Sequence, residues 1–321
     1  MWKYIVKRLL LLIPVMIGVT LLVFTIMNLK PGDPGRIFLG MEASQEAVDA
    51  YNENLGLNDP FFTRYFNYMK GLVKGDLGTS WYGTEKVAER VFAAFPDTLL
   101  LCLLAIALAV IVGVPLGILS AVKQYSIWDR LGTVFAMLSA SIPNFWLCLL
   151  MSMLFASTLK WLPAYGLDSW KAYIMPVIAL SVHTMGVTVR LTRSSMLEEI
   201  RKDYVRTARA KGAKEKSAIF HHALRNSLIP VVTALGANFS TLLGGTVFVE
   251  SVYALPGLGN IIVKSITNKN VPMIMGCVVI LAICCVIINL LVDLCYAYLD
   301  PRIKAQYVGG KKKRKGDKAN G

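Results

Sequence analysis

RLTRSSMLEEIRKDYVRTARAKGAKEKSAIFHHALRNSLIP, residues 190–230, lies between two apolar spans and decides how the rest of the chain is read. Its ten basic residues, Arg190, Arg193, Arg201, Lys202, Arg206, Arg209, Lys211, Lys214, Lys216 and Arg225, outnumber Glu198, Glu199, Asp203 and Glu215 and leave a net charge of +6. A segment this charged cannot sit in hydrocarbon. Leu197, Ile200, Tyr204, Val205, Ala208 and Gly212 nevertheless recur at helical spacing and form one stripe. Gly212, the residue most able to take positive φ, is expected to end that helix. A second short helix is expected from near Ser217, burying Ala218, Ile219, Ala223 and Leu224. The insert is therefore expected to be two short helices around a glycine corner, presented on the cytoplasmic face.

Around this insert the 321-residue chain is 55% hydrophobic, and the apolar residues are gathered into blocks long enough to cross a bilayer. That pattern excludes an ordinary soluble domain and predicts an all-α polytopic membrane protein. Six transmembrane helices are expected, over about 9–27, 98–122, 131–157, 173–189, 229–249 and 273–296. Lys3, Lys7 and Arg8 before the first span, and the basic tail from Arg302 to Lys318, put both termini in the cytoplasm. The net charge of +14 follows the ends of spans and the tail, as cytoplasmic flanks do, so no nucleic-acid partner is expected. The six cysteines lie in or beside apolar spans without CxxC spacing, and read as small buried side chains rather than a disulfide framework or a zinc site.

The chain divides into residues 1–29, a flank and first span; 30–97, an extracytoplasmic segment; 98–299, a five-helix core including the 190–230 loop; and 300–321, a basic cytoplasmic tail. In the extracytoplasmic segment Ser44 is expected to cap a helix ending near Gly56. Asp59-Pro60 is expected to open a second, aromatic-rich helix that lies along the interface or packs on the bundle. Trp161, Tyr165, Trp170 and Tyr173 read as interface anchors around an outer turn.

Glycine and proline interrupt several spans: Gly113, Pro115, Gly117, Pro143, Pro176, Gly236, Gly244 and Gly245. Backbone groups freed there must face neighbouring helices or a wet cavity. In the fifth span Thr233, Gly236, Asn238, Ser240 and Thr241 form the candidate translocation path. Ionisable residues within spans are nearly absent: His183 reads as a hydrogen-bonded packing residue, and Asp293 as a cap or ion-pair partner near the inner face. No GxxxxGK[ST], HExxH or GxSxG element occurs. The chain is therefore expected not to be an enzyme and to bind no cofactor or metal, so energy for uphill movement would come from another chain.

RTARAKG, Arg206 to Gly212, resembles the cytoplasmic loop of the permease subunits of binding-protein-dependent ABC importers, whose pattern is Glu-Ala-Ala, three residues, then Gly. Arg206, Thr207 and Ala208 take the Glu-Ala-Ala positions. The departure is similar to the dipeptide/oligopeptide/nickel branch, in which DYVRTARAKG precedes HALRN and LIP; here those are Asp203–Gly212, His222–Asn226 and Leu228–Pro230. Pro31-Gly32-Asp33-Pro34, Leu55-Gly56-Leu57, Gly75-Asp76-Leu77-Gly78, Ser141-Ile142-Pro143, Glu250 with Pro256-Gly257-Leu258-Gly259, Asn289–Asp293 and Leu299–Arg302 extend the resemblance to the B-type subunit of that branch. Asn270 stands where the family more often has an aspartate.

The resemblance implies a type I ABC importer permease fold in a prokaryotic inner or plasma membrane. It implies pairing with a second, homologous permease subunit and docking of an extracytoplasmic solute-binding protein. It also implies two cytoplasmic ATPase subunits that hold the ATP and magnesium and bind the coupling loop: Asp203, Tyr204, Val205, Arg206, Thr207, Ala208, Arg209, Lys211, Gly212 and Ala213. Within that loop Tyr204, Val205, Ala208 and Ala213 are expected as apolar contacts, with Arg206, Arg209 and Lys211 at the rim. The implied solutes are di- and oligopeptides, then nickel or another small solute. An ion-coupled secondary carrier would need an ion-binding acid or a broken-helix site at mid-depth, and a membrane enzyme or insertase would need catalytic polar clusters near one interface.

Overall fold

The computed structural model describes residues 2–29, 33–166 and 169–299. The basic tail and the side chain of Asp293 lie outside the described residues. Among those residues every regular element is helical, apart from one isolated antiparallel bridge between Thr79 and Lys86. Five helices are long and apolar enough to cross a membrane, and a sixth crossing is reached if one sharply bent pair counts as a span.

α1 (Trp2–Leu29) is buried on one side only: Met16, Thr20 and Phe24 pack inward, whereas Leu10, Leu11, Ile13, Leu22 and Ile26 are exposed, as suits a lipid-facing helix. Three short helices follow. α2 (Pro34–Leu39) is capped by Asp33, and α3 (Gln45–Asn54) by Ser44, whose hydroxyl accepts from Ala47 N at 3.3 Å as the sequence predicts. α4 (Phe61–Val73) begins one residue later than expected: Pro60 occupies the cap position and Asp59 makes no cap bond. α4 folds back onto α1, with Phe24 against Phe61 at 5.2 Å between ring centroids and the Tyr65 hydroxyl 3.0 Å from that of Thr20. Phe62 and Phe66 remain exposed on its other face.

The core is built on α5 (Val87–Val122) and α8 (Ile174–Ile200). α5 starts eleven residues before the expected span; its 36 residues measure about 54 Å, against about 30 Å of hydrocarbon. One end therefore meets the α2–α4 segment and the other the 190–230 insert. Gly113 and Gly117 let the two helices touch backbone to backbone: an added Cβ would lie 2.9 Å from Thr188 Cβ at the first position, and 2.6 Å from Thr192 Cβ at the second. These glycines are there for close packing, one of the two readings open at the sequence level.

The third span is not one helix. α6 (Ile127–Ser141) and α7 (Asn144–Met151), which continues as a π-helix over Ser152–Thr158, meet at 102° across Ile142-Pro143. Ile142 is extended, the conformation the following proline favours. Pro176, by contrast, sits in the first turn of α8, where its missing N–H breaks nothing. His183 is half-buried on α8 without a hydrogen bond among the described residues, so the bonded role expected for it is not seen. Trp161, Tyr165 and Trp170 are exposed, as interface anchors would be.

α9 (Asp203–Ala210) and α10 (Glu215–Ser217) follow α8. α10 runs through a π-helix, Ala218–Ala223, into α11 (Leu224–Val252) without a break. The expected second short helix is thus the root of the fifth span; it buries Ala218, Ile219 and Ala223 as predicted, and Leu224 only partly. α12 (Leu258–Thr267) and α13 (Val271–Leu299) complete the chain. Cys102, Cys148, Cys277 and Cys284 are buried free thiols.

Replacing Gly117 by Leu should destabilise the protein by about 1–3 kcal/mol, because the new side chain meets Thr192 and the Val189 carbonyl of α8. Thermal unfolding in detergent would register this as a lower midpoint, whereas Gly244→Leu, with nothing within 4 Å, should leave the midpoint near wild type.

Candidate functional site

α8 carries the first part of the charged insert as a direct extension of its span, so the predicted single stripe is divided. Leu197 and Ile200 belong to α8, the chain turns at Arg201 and Lys202, and Lys202 takes an extended conformation before α9. Lys202 Nζ reaches Glu199 at 2.5 Å and Glu198 at 3.3 Å, and these contacts, Glu199 foremost, raise its pKa. Val205, fully buried, seats α9 against Ile118 and Ala121 of α5, Met196 of α8, and Ala218, Ile219 and Ala223. It anchors the element from beneath and cannot be a contact for a partner, which corrects that expectation.

Gly212 ends α9 as predicted, at φ 85°. Ala213 N donates to Ala208 O at 3.1 Å and Gly212 N to Arg209 O at 2.9 Å, the paired bonds of a left-handed helix stop. Across this corner Arg209 forks onto Glu215, with Nε and Nη2 at 2.8 and 2.7 Å from the two carboxylate oxygens. Arg209 thus closes the elbow internally and is not a free rim charge. Arg206, Thr207, Lys211 and Gly212 are exposed, Ala208 and Ala213 are half-buried, and Asp203 lies in the first turn, where an acid suits the helix dipole. The Tyr204 hydroxyl donates to Glu199 and accepts from Asn226 Nδ2 at 3.0 Å. Burial, then Glu199, pushes its pKa up, so it remains a donor at neutral pH.

A second junction was not found by sequence reasoning. Asp129, at the start of α6, receives Arg193 Nε at 2.5 Å and Nη2 at 2.9 Å, Ser120 Oγ at 2.6 Å and Tyr125 N at 2.9 Å. The carboxylate is almost fully buried, and the cluster fixes the ends of α5, α6 and α8 to one another immediately behind the elbow. In the sequence Arg193 is one of ten basic residues in an insert, and nothing local singles it out.

The five candidate path residues fall on different faces of α11. Gly236 meets Val292 of α13, 2.2 Å from where a Cβ would be, and Ser240 accepts from Asn289 Nδ2 at 3.3 Å. Thr233 bonds its own helix at Ile229 O. Thr241 is exposed, in a stripe with Ala237, Gly244 and Phe248, and Asn238 is half-buried one turn before it. At the far end of α11 the buried Glu250 accepts from Gly259 N at 2.6 Å and Asn260 N at 3.3 Å, capping α12. A Cβ on Gly257 would come within 2.3 Å of this carboxylate, so the Pro-Gly-Leu-Gly motif reflects close approach.

The profile of the binding-protein-dependent transport system inner membrane component matches residues 113–305, and that of its N-terminal part matches residues 1–102. The chain belongs to this family. A dipeptide transport system permease of Alkalihalophilus pseudofirmus is 41% identical over 95% of this chain and 100% of the relative. A glutathione transport system permease of Pectobacterium atrosepticum is 40% identical over 95% and 99%. Among solved structures, a chain of the inward-facing MetNI methionine ABC transporter matches with a TM-score of 0.57 at 21% identity, over 65% of this chain and 96% of that one. This inner membrane component is accordingly a multi-pass transport protein with an ABC transporter fold.

Asp129→Ala should cost about 3 kcal/mol, the low end for breaking a buried ion pair, because Arg193 keeps partial access to water. Chemical denaturation in detergent should show that Asp129→Ala combined with Arg193→Met loses less than the sum of the two single changes.

Proposed function

We propose that this transport component forms half of the translocation pathway of an ATP-driven importer of di- or oligopeptides. α9 is the coupling helix, gripped by a cytoplasmic ATPase, and both termini lie on that side. A second, similar permease supplies the other half of the path, two ATPases bind ATP and magnesium, and an extracytoplasmic binding protein docks on the α2–α4 side. The observation that carries the reading is the elbow itself: a short, solvent-facing helix that is rigidly attached. Val205 beneath, the Gly212 stop and the Arg209–Glu215 fork tie it to α5, α8 and the root of α11 at once. A push on such a knob moves three helices as one body rather than bending a loop. The peptide class rests on the names of the two permease relatives, each matched over nearly its whole length.

The solute path is placed along the open stripe of α11, at Thr241 with Asn238 beside it. Gly236 and Ser240 serve as the joint to α13, and Thr233 flanks it.

Two substitutions at the corner test the coupling role. Gly212→Leu meets no neighbour, so its strain of about 1–2 kcal/mol comes from the left-handed backbone alone and falls on the elbow. Uptake and transport-coupled ATP hydrolysis by the assembled importer should drop while membrane insertion persists. Gly212→Asn, a residue that tolerates this conformation, should retain most activity. Full coupling in Gly212→Leu would remove the basis for the docking role.

A further inference from the structure

At the opposite end of the molecule from the elbow, a cleft of about 370 Å³ opens between the end of α1, the starts of α2 and α4, the Trp81 loop and the turn before α13. Its walls carry opposite charges. Asp33 stands on one side, Arg64 and Lys269 line others, and Phe61 and Trp81 supply flat apolar faces. A hollow of about 190 Å³ adjoins it through Leu57, Arg64, Trp81 and Val271, and adds the Tyr68 hydroxyl, which is buried without a partner among the described residues.

The polar groups are held in place but not consumed. Asn52 accepts from Gly35 N at 2.9 Å and donates to Asp33 Oδ1 at 2.8 Å; the Arg36 amide takes the same oxygen, and Oδ2 has no hydrogen bond among the described residues. Asn270 holds the Trp81 loop by accepting from Trp81 N at 3.3 Å and donating to Ser80 Oγ at 2.8 Å. Arg64 lies with its guanidinium 5.7 Å from the centre of the Phe24 ring, and burial draws its pKa down while Asp59 partly offsets this. Among the described residues neither the Arg64 guanidinium nor the Lys269 ammonium has a hydrogen bond or a carboxylate within 4 Å. Lys269 adopts a left-handed conformation, fixed by its amide donating to Ile266 O at 3.1 Å.

We propose that this cleft binds a short zwitterionic peptide, its carboxylate on Arg64 and Lys269, its ammonium on Asp33, and an apolar side chain between Phe61 and Trp81. The volume is at the small end of the roughly 300–1,000 Å³ range of ligand sites, which suits two or three residues. A guanidinium fork matches a carboxylate, and the mixed charge disfavours a simple anion or cation. The inference rests on the peptide-import reading above but adds a solute site on the permease itself, outside its spans and distinct from any binding protein.

Calorimetry with the full chain in lipid nanodiscs and the dipeptide Ala-Phe tests it. Saturable binding is expected, at least tenfold weaker for N-acetyl-Ala-Phe and for Ala-Phe amide. Arg64→Gln should weaken Ala-Phe at least tenfold and abolish the preference over the amide, and Asp33→Asn should abolish the preference over the acetylated form. Lys269→Gln, at an exposed position, gives the same carboxylate test should Arg64→Gln fold poorly. No binding by wild type at millimolar Ala-Phe, or unchanged binding by the variants, overturns the site. Uptake by cells carrying the intact importer then separates the claims: uptake without this binding sinks the site alone, and no uptake sinks the peptide reading as well. Should Arg64→Gln weaken docking of a binding protein and leave Ala-Phe binding unchanged, the cleft belongs to that partner and the proposal fails.

Discussion

The rest of the structure depends on how closely α5 and α8 approach. Lipid tails are as apolar as leucine, so helices in a bilayer are held by van der Waals fit and by hydrogen bonds more than by expulsion of water. Gly113 and Gly117 remove the side chains that would separate these two helices, and Thr188 and Thr192 fill the space. Gly186 repeats the arrangement on another face of α8, where Ser139 of α6 occupies the volume of a missing Cβ. One helix thus carries two tight joints, and neighbouring helices are positioned by them.

Because α8 is fixed so firmly, its extension beyond the span is braced rather than loosely attached. Asp129 and Arg193 tie its end to α5 and α6, and Val205 seats α9 on the same cluster. The π-helical stretch Ala218–Ala223 then leads from the elbow into α11. Such stretches hold backbone bonds in a poorer register than an α-helix and recur at functional sites. The elbow is therefore packed on α5 and α8 and continuous with α11 through a π-helical turn.

At the other end polar caps act alongside two apolar clusters, one around Leu258, Ile261 and Met273 and one around Phe24, Tyr65 and Met275. Glu250 holds the start of α12, Thr98 receives Leu258 N at 2.8 Å, and Asn270 fastens the Trp81 loop. Asn270 uses both halves of its amide, accepting from a backbone N–H and donating to a serine, which a carboxylate could not do. Its place is in the scaffold of the cleft beside Trp81.

The sequence by itself determined where the apolar helices lie, that a charged insert interrupts them, that Gly212 turns the chain and that Ser44 begins a helix. These follow from near neighbours: periodicity, capping chemistry and the freedom of glycine act within a few residues. Only the tertiary structure decided that the third span bends by 102°, that α8 continues to Ile200, and that Val205 faces inward. The same holds for Asp129 with Arg193, 64 residues apart, and for Gly236 serving Val292 rather than an open path. A charge or a small residue has the same local signature whether it faces water, lipid or a partner helix. Which of these it meets is set by the packing of helices distant in the chain, and that packing is not written in any one segment.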